Sequence, residues 1–355
     1  MELLSVQESS IYLASDRLDH FSFRISTVEI IEQERIAVLT TSFIVPCYNE
    51  EDNIERLYLS FAESFNSSPF NWQLVFIDDG STDDTWKHIE ALCREHSEVE
   101  GVQLTRNFGK EAAIWAGLNN TRADIIGIID ADLQQQPLDA MQMCKILAEN
   151  PEYDCVAAFQ KSRLEHGPLK SIKHAFYGAF SKLSGLDTLQ NASDFRVFRK
   201  NVADAILQLP ECFRFSKGIF AWIGFNTCPY PYTPANRLTG QSKWSIVGLT
   251  KYAIDGMLAF SVTPLRLATV LGLVAAICAV AYFLIVLIQT LIHGVDVPGY
   301  ATLISVVLLL GGAQLICMGI MGEYLARTYL QGKQRPIYLV KTTIRSHSSQ
   351  ESSAS

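Results

Sequence analysis

Asp124-Ile125-Ile126-Gly127-Ile128-Ile129-Asp130-Ala131-Asp132 is a short, unbroken apolar run that stops at two carboxylates. A run of this length and hydrophobicity predicts a strand buried on both faces, as in a parallel sheet covered by helices. The same arrangement recurs upstream. Residues 36–45 read as a strand ending at Pro46-Cys47-Tyr48-Asn49-Glu50, with a helix over 53–65. Residues 72–77 read as a strand stopping at Asp78-Asp79-Gly80-Ser81. A helix over 82–96 follows, with Ser81 or Thr82 as its cap and acids in its first turn. Residues 99–104 predict a third strand, and 109–118 an alanine-rich helix. Strand–helix alternation of this kind means an α/β sheet with ligands at the carboxyl ends of the strands. Tyr48/Glu50, Asp78/Asp79 and Asp130/Asp132 all fall at those ends. Neither G-x-G-x-x-G nor G-x-x-x-x-G-K-[ST] occurs, so the chain has neither a dinucleotide fingerprint nor a P-loop.

Two carboxylates two residues apart at a strand end suit a hard divalent cation. Mg²⁺ or Mn²⁺ takes one or two carboxylates and completes its shell with substrate phosphates and water. A lone D-x-D carries little weight; the end of a buried strand gives it more. Asp78-Asp79-Gly80-Ser81 reads either as a strand-to-helix turn with a capping acid or as a carboxylate accepting from a nucleoside. Residues 45–50 read likewise as a plain loop or as an aromatic and an acid lining a nucleoside.

The 355 residues carry a net charge of −8, are 48% hydrophobic and 19% charged, and have a mean hydropathy of +0.14. Soluble domains average about 25% charged. The deficit is local: no charged residue occurs over 267–288 or over 298–322. Each stretch exceeds the roughly 20 residues a helix needs to cross hydrocarbon. A purely soluble protein and wholesale disorder are thereby excluded, and the acidic balance argues against nucleic acid as a partner. His293-Gly294-Val295-Asp296-Val297 joins the spans without Lys or Arg, whereas Lys251 and Arg266 precede them and Arg327, Lys333, Arg335, Lys341 and Arg345 follow. Basic flanks stay cytoplasmic. The expectation is a helical hairpin with a short outer loop and both termini in the cytoplasm. Small residues at Gly272, Ala276 and Ala279, and at Gly311, Gly312, Gly319 and Gly322, suggest faces for helix packing. Residues 244–260, apolar with few charges, read as an interfacial helix or as a buried core helix. The eight cysteines form no C-x-x-C pair, which predicts reduced, mostly buried thiols. Residues 1–37 hold seven acids and three arginines; they predict a loosely docked extension and no signal peptide.

IVPCYNEEDNI (44–54), FIDDGSTDDT (76–85), RNFGKEAAIWAGL (106–118) and DADLQ (130–134) together resemble family 2 glycosyltransferases. SDFRVFRK (193–200), NRLTGQSKWS (236–245) and GEYLARTY…RPIY (322–338) narrow the resemblance to polyprenyl-phosphate glycosyltransferases, and within them to the bacterial glucosyl-transferring branch. The resemblance covers about 38–340 and implies an α/β GT-A (Rossmann-like nucleotide-sugar) domain, a juxtamembrane amphipathic helix and a C-terminal two-helix transmembrane hairpin. The implied division is 1–37 extension, 38–235 catalytic domain, 236–262 acceptor-phosphate loop and interfacial helix, 263–325 spans and 326–355 cytoplasmic tail. It places Pro46, Tyr48, Glu50, Ile77, Asp79 and Ala131 on the nucleotide. Asp130 and Asp132 take metal and diphosphate, with Gln134 as a further metal ligand. Arg237 and Lys243 would bind donor or acceptor phosphate, and Arg163 and Lys173 would belong to the acceptor loop.

Ser193-Asp194-Phe195-Arg196 holds the acid that many inverting GT-A enzymes use as a base. A phosphate-monoester acceptor has a second pKa near 6, so it attacks without giving up a proton. Asp194 then either orients the acceptor's basic groups or the sugar, or accepts a proton. The implied activity is an inverting, metal-dependent hexosyl transfer, glucose from a UDP-sugar to polyprenyl phosphate, in a bacterial plasma membrane. A homo-oligomer built through the spans is expected, as are a separate flippase and a downstream glycosyltransferase that take the product. The alternatives are GDP-mannose or another sugar nucleotide, and an inactive scaffold or nucleotide sensor. A processive synthase would need Q-x-x-R-W and more spans, and a transporter would need intramembrane charge; the sequence has none of these.

Overall fold

A computed structural model describes residues 39–160, 192–235, 258–259, 261–293 and 299–345. Its strands are β1 (Thr40–Cys47), β2 (Asn71–Asp78), β3 (Val99–Leu104), β4 (Ile125–Ile128), β5 (Cys155–Gln160), β6 (Ala192–Arg199), β7 (Thr227–Tyr232) and β8 (Val340–Ile344). They form one sheet in the order β7-β5-β6-β4-β1-β2-β3-β8. β4, β1, β2 and β3 run parallel, and β6 joins antiparallel to β4. After β3 the chain crosses back to the other side of β1 to make β4. The strand order therefore reverses between β1 and β4, and the crevice outside their carboxyl ends is where such sheets bind ligands.

Both faces of the sheet are covered. Phe43, Val45, Leu74 and Phe76 point to one side, under α1 (Ile54–Phe65), α2 (Thr85–Glu95) and α4 (Pro137–Glu149). Ile44, Val75 and Ile77 point to the other, under α3 (Lys110–Asn120), α5 (Lys200–Leu207) and α6 (Ser216–Trp222). Period-2 alternation with apolar residues at every position is what burial on two faces demands. On the first side α1 buries Ile54, Leu57, Tyr58, Phe61 and Phe65 at helical spacing, and its two phenylalanines meet Phe43 at ring separations of 5.0 and 5.2 Å. On the second, α3 lies so close to β1 that a Cβ at Gly117 would be 2.2 Å from an Ile44 methyl.

The first four strands and three helices lie within a few residues of their expected positions. The cap of α2 differs: the helix starts at Thr85, after Asp84, with no side-chain cap and no acid in its first turn. Ser81 and Thr82 serve a neighbouring loop instead. The Ser81 hydroxyl accepts from the Asn49 N–H at 3.0 Å, and the Asn49 side-chain oxygen accepts from the Thr82 N–H at 2.9 Å. Of the eight thiols, Cys47, Cys144 and Cys155 are buried, four are half-buried and Cys278 is exposed, so burial is less general than expected.

Two long apolar helices follow, α7 (Thr263–His293) and α8 (Tyr300–Gly332), each long and apolar enough to cross a bilayer and exposed along the outer face. They pair as a hairpin. The Tyr324 hydroxyl donates to the Ser261 carbonyl at 2.6 Å, and the Cys317 thiol lies 3.8 Å from the Ala268 carbonyl. The glycines expected to line a packing face do not form this seam: a Cβ at Gly272, Gly311, Gly312, Gly319 or Gly322 would meet nothing within 4 Å. Beyond α8 the chain returns to the sheet. The Thr105 N–H donates to the Leu339 carbonyl at 2.9 Å, and β8 pairs antiparallel with β3. The segment expected to be only a tail is thus partly an edge strand. The interfacial helix expected over 244–260 lies outside the described residues except for 258–259.

Gly80 turns the chain after β2 at φ +67°, and a Cβ there would stand 2.4 Å from the Arg106 carbonyl carbon. Gly80→Ala is expected to cost about 2–4 kcal/mol through left-handed strain and overlap. Heat unfolding followed by circular dichroism should show a midpoint lowered by roughly 5–10 °C.

Candidate active site

Four loops converge at the carboxyl edge of β1–β4, and each is tied to another. The Asp78 carboxylate accepts from the Ser81 N–H at 2.9 Å and from the Gln103 amide at 3.1 Å, which closes the turn after β2. The two oxygens of Asp79 accept from the Phe108 and Gly109 N–H groups at 2.7 and 2.9 Å. Burial nevertheless raises the Asp79 carboxyl above the usual range, against these two bonds. Asp79, expected on the nucleotide, thus also fixes the loop that opens α3. The Glu50 N–H donates to the Thr85 hydroxyl at 2.8 Å, and its carboxylate accepts from the Asn53 amide at 2.7 Å. Tyr48 is more than one-third exposed at the lip, with Pro46 and Ile77 paired side by side beneath it.

The acid pair sits on the turn after β4. Leu133 takes φ +58°, a left-handed conformation unusual for a branched side chain, and this folds the turn tightly enough for the Gln134 N–H to reach Asp132 at 3.2 Å. The Gln135 side chain clamps Asp130: it accepts from the Asp130 N–H at 2.9 Å and donates to one carboxylate oxygen at 3.1 Å. The other oxygen lies 2.7 Å from the Lys110 ammonium. Ala131 is buried between the two acids. The Ala235 N–H donates to the Gln134 carbonyl at 3.0 Å. The chain therefore leaves the described region beside the acid pair, two residues before Arg237.

Lys110 also reaches Asp194, at 3.0 Å. One ammonium thus joins the end of β4 to the start of β6. Burial by itself would raise the Asp194 carboxyl; Lys110, Lys217 and Arg196 overcome this and hold it well below the usual carboxylate range. Burial would likewise lower Lys110, and the two aspartates keep it above the ordinary lysine value instead. Arg196 is buried in β6, donates to the Ser193 carbonyl at 3.2 Å and stacks its guanidinium 4.5 Å from the Phe220 ring. Next to Lys110, the Glu111 carboxylate accepts from the Ser216 N–H at 3.1 Å and from its hydroxyl, which pins α3 to α6.

Of the site residues expected from sequence, Pro46, Tyr48, Glu50, Ile77, Asp79, Asp130, Ala131, Asp132, Gln134 and Asp194 lie along this one edge. Arg163, Lys173, Arg237 and Lys243 lie outside the described residues. Lys110, Gln135 and Arg196 were not singled out, although two left a signal. A lysine in the first turn of a helix opposes the helix dipole and needs a local acid to hold it there. An arginine between apolar residues of a buried strand needs a buried partner. The acid pair suits a divalent cation: the donors are hard oxygens, and Asp130 already draws a positive charge to 2.7 Å. Among the described residues no cluster of three or more His, Cys, Asp or Glu forms a cage made by protein alone. A site of this kind completes its shell with phosphate and water.

A catalytic edge of crossed loops and paired acids, on a sheet reversed between β1 and β4, defines a nucleotide-sugar transferase of GT-A type. The match to the glycosyl transferase family 2 model spans residues 42–207, and that to the GtrB C-terminal hairpin spans 263–328. The prophage bactoprenol glucosyl transferase homolog of Escherichia coli K12 is 37% identical over 303 residues, 84% of this chain and 98% of its own. The bactoprenol glucosyl transferase of Shigella phage SfX is 38% identical over 304 residues, covering 85% and 98%. The putative glycosyltransferase CsbB of Bacillus subtilis is 38% identical over 301 residues, covering 84% and 91%. This chain belongs to the family 2 glycosyltransferases. Within them it carries the GtrB-type membrane hairpin.

Lys110→Met removes the counter-charge shared by Asp130 and Asp194, and activity is expected to fall at least tenfold. The pH response has a definite sign. Asp194 is depressed, so its ion pair contributes fully above the ordinary carboxylate value of about 4 and is lost as pH falls through the lowered value. Without Lys110 the carboxyl rises. The variant's thermal midpoint, already lower near pH 7, should therefore fall less than that of the wild type as pH is taken from about 7 to 3.

Proposed function

We propose that this protein transfers glucose from UDP-glucose to polyprenyl phosphate at the cytoplasmic face of a membrane, with inversion. The observation that carries the reading is one chain holding a diacid site at the sheet's carboxyl edge and a membrane hairpin bonded to the same catalytic domain. Relatives matched over nearly their whole length are named for glucosyl transfer to bactoprenol, which supports the same donor and acceptor here.

Asp130 and Asp132, with Gln134, would hold Mg²⁺ or Mn²⁺, which when bound neutralises charge on the departing diphosphate. The chain's own residues do the rest. Tyr48, Glu50 and Asp79 border the nucleoside at the β1 and β2 loops. Lys110 bridges Asp130 and Asp194 and keeps the Asp194 carboxyl ionised. The acceptor phosphate, mostly dianionic near pH 7, attacks the anomeric carbon as the bond to the UDP oxygen breaks. No proton has to be removed. Asp194, held far below neutrality, is a poor base at that pH and a good orienting anion. Arg237 and Lys243 supply the cations for the acceptor phosphate, and Arg163 and Lys173 contribute from the acceptor loop.

Residues 38–235 form the catalytic unit in this reading, 236–262 the acceptor loop and interfacial helix, and 263–325 the spans. The basic groups at Arg266, Arg327, Lys333 and Arg335 put both ends of the hairpin on the cytoplasmic side. The chain associates with itself through the spans. The lipid-linked sugar, made inside, then needs a separate flippase and a transferase that consumes it.

Purified protein should convert undecaprenyl phosphate and radiolabelled UDP-glucose to a labelled lipid in the presence of Mg²⁺ or Mn²⁺. Chelation should stop the reaction. Asp132→Ala should lose at least a hundredfold in rate with an unchanged thermal midpoint. Full activity in that variant, or labelling from GDP-mannose alone, would overturn the assignment.

A further inference from the structure

The geometry points to a second membrane contact, outside the hairpin: the end of α6, led by Trp222, rests in the lipid headgroup layer. This rests on the hairpin being embedded, and it adds how the catalytic domain is held against the bilayer. The level of the membrane surface can be read from the hairpin itself. Arg266 is the first charge of α7, and Glu323 is the first charge met along α8. The bond from Tyr324 to the Ser261 carbonyl sets these two helix ends side by side. The hydrocarbon boundary therefore lies at Arg266 and Glu323, with Ser261 and Val262 just outside it.

Trp222 is at this level. It shares a 360 Å³ cleft with Ile219, Ser261 and Val262. Trp222 is 61% exposed and Val262 is 52% exposed. A tryptophan with this much open surface, set next to the entry of a membrane helix, has the amphipathic ring that favours the interface. On the α8 side the pattern repeats: Tyr329 is exposed, and the Lys333 ammonium lies 4.3 Å over its ring. Aromatic and basic groups thus occur on both sides of the hairpin's cytoplasmic end, as anchors that set depth and tilt do.

The other end of α6 belongs to the active site. Ser216 is bonded to Glu111, the neighbour of Lys110. From Ser216 to Trp222 a helix rises about 9 Å. A short rigid helix therefore runs from the shell of the acid site to the membrane plane and fixes the distance between them. Two features keep it rigid: Arg196 stacks on Phe220 in its middle, and Gln331 of α8 is bonded to Pro210 and Cys212 in the loop before it.

The test uses the full chain in vesicles containing phosphatidylcholine brominated near the carbonyl end of its acyl chains, since bromine quenches only nearby tryptophan. Wild type should lose more emission than Trp222→Phe, the difference approaching one residue's share of the five tryptophans. Equal fractional loss in the two proteins would overturn the inference, as would a Trp222 signal that responds to dilution of the protein and not to bromine, which marks a contact between copies. Leu273→Trp, exposed on α7, is the depth reference with bromine near the chain ends. If Leu273→Trp is quenched and Trp222 is not, only the α6 contact fails. If neither is quenched, the membrane reading fails as well.

Discussion

One ammonium group organises the acid site. Asp130 ends β4 and Asp194 opens β6, two strands that run in opposite directions, and Lys110 on α3 bonds to both. Without a cation between them, like charges at this edge would push the two strands' ends apart and drive a proton onto one of them. With it, the Asp194 carboxyl is held well below the usual range and both acids are held in place. Asp194 is the more dependent of the two, because it is mostly enclosed and one of its oxygens has no hydrogen-bond partner among the described residues. Asp130 and Asp132 stand together at the carboxyl edge of β4, where the proposed nucleoside diphosphate and its cation would complete the site.

The loops around this edge are stiff for a related reason. Asp79 and Asn49 direct their side chains to backbone N–H groups of neighbouring loops, and Asp78 closes its own turn and ties it to the Gln103 amide of β3. Buried backbone donors must be satisfied, and satisfying them across loops rather than within them turns four separate connections into one frame. Several acids that look available in sequence are thereby committed. Asp78 closes the turn after β2, whereas Asp79 holds the loop that opens α3.

The parts of the fold that rest on local pattern were legible. β3 matches its expected span residue for residue, and β1, β2 and β4 miss by a few positions at their ends, because strand periodicity and turn chemistry are properties of neighbouring residues. The acid pair was legible for the same reason. What could not be read depends on partners far along the chain. Lys110 acquires its meaning 84 residues away at Asp194. Ser81 and Thr82 had the chemistry of a helix cap and were recruited by Asn49 instead. β8 is short and mostly exposed, so it carries no apolar signature and exists only because β3 offers it an open edge. The glycines of the spans suggested a seam by composition, and the seam formed elsewhere, through Tyr324 and Cys317.

The position of β8 ties synthesis to insertion. The catalytic sheet is largely made before the ribosome reaches α7, yet its last strand comes after α8. In the proposed membrane arrangement, the β3 edge stays open until both spans have been threaded and the chain has come back to the side it started from. A hairpin that stalls halfway leaves β8 on the wrong side of the bilayer and β3 uncapped, a free edge of the kind that recruits other strands and aggregates. Completion of the enzyme is therefore a topological event as much as a folding one: closure of the sheet reports that the hairpin has gone in and come out.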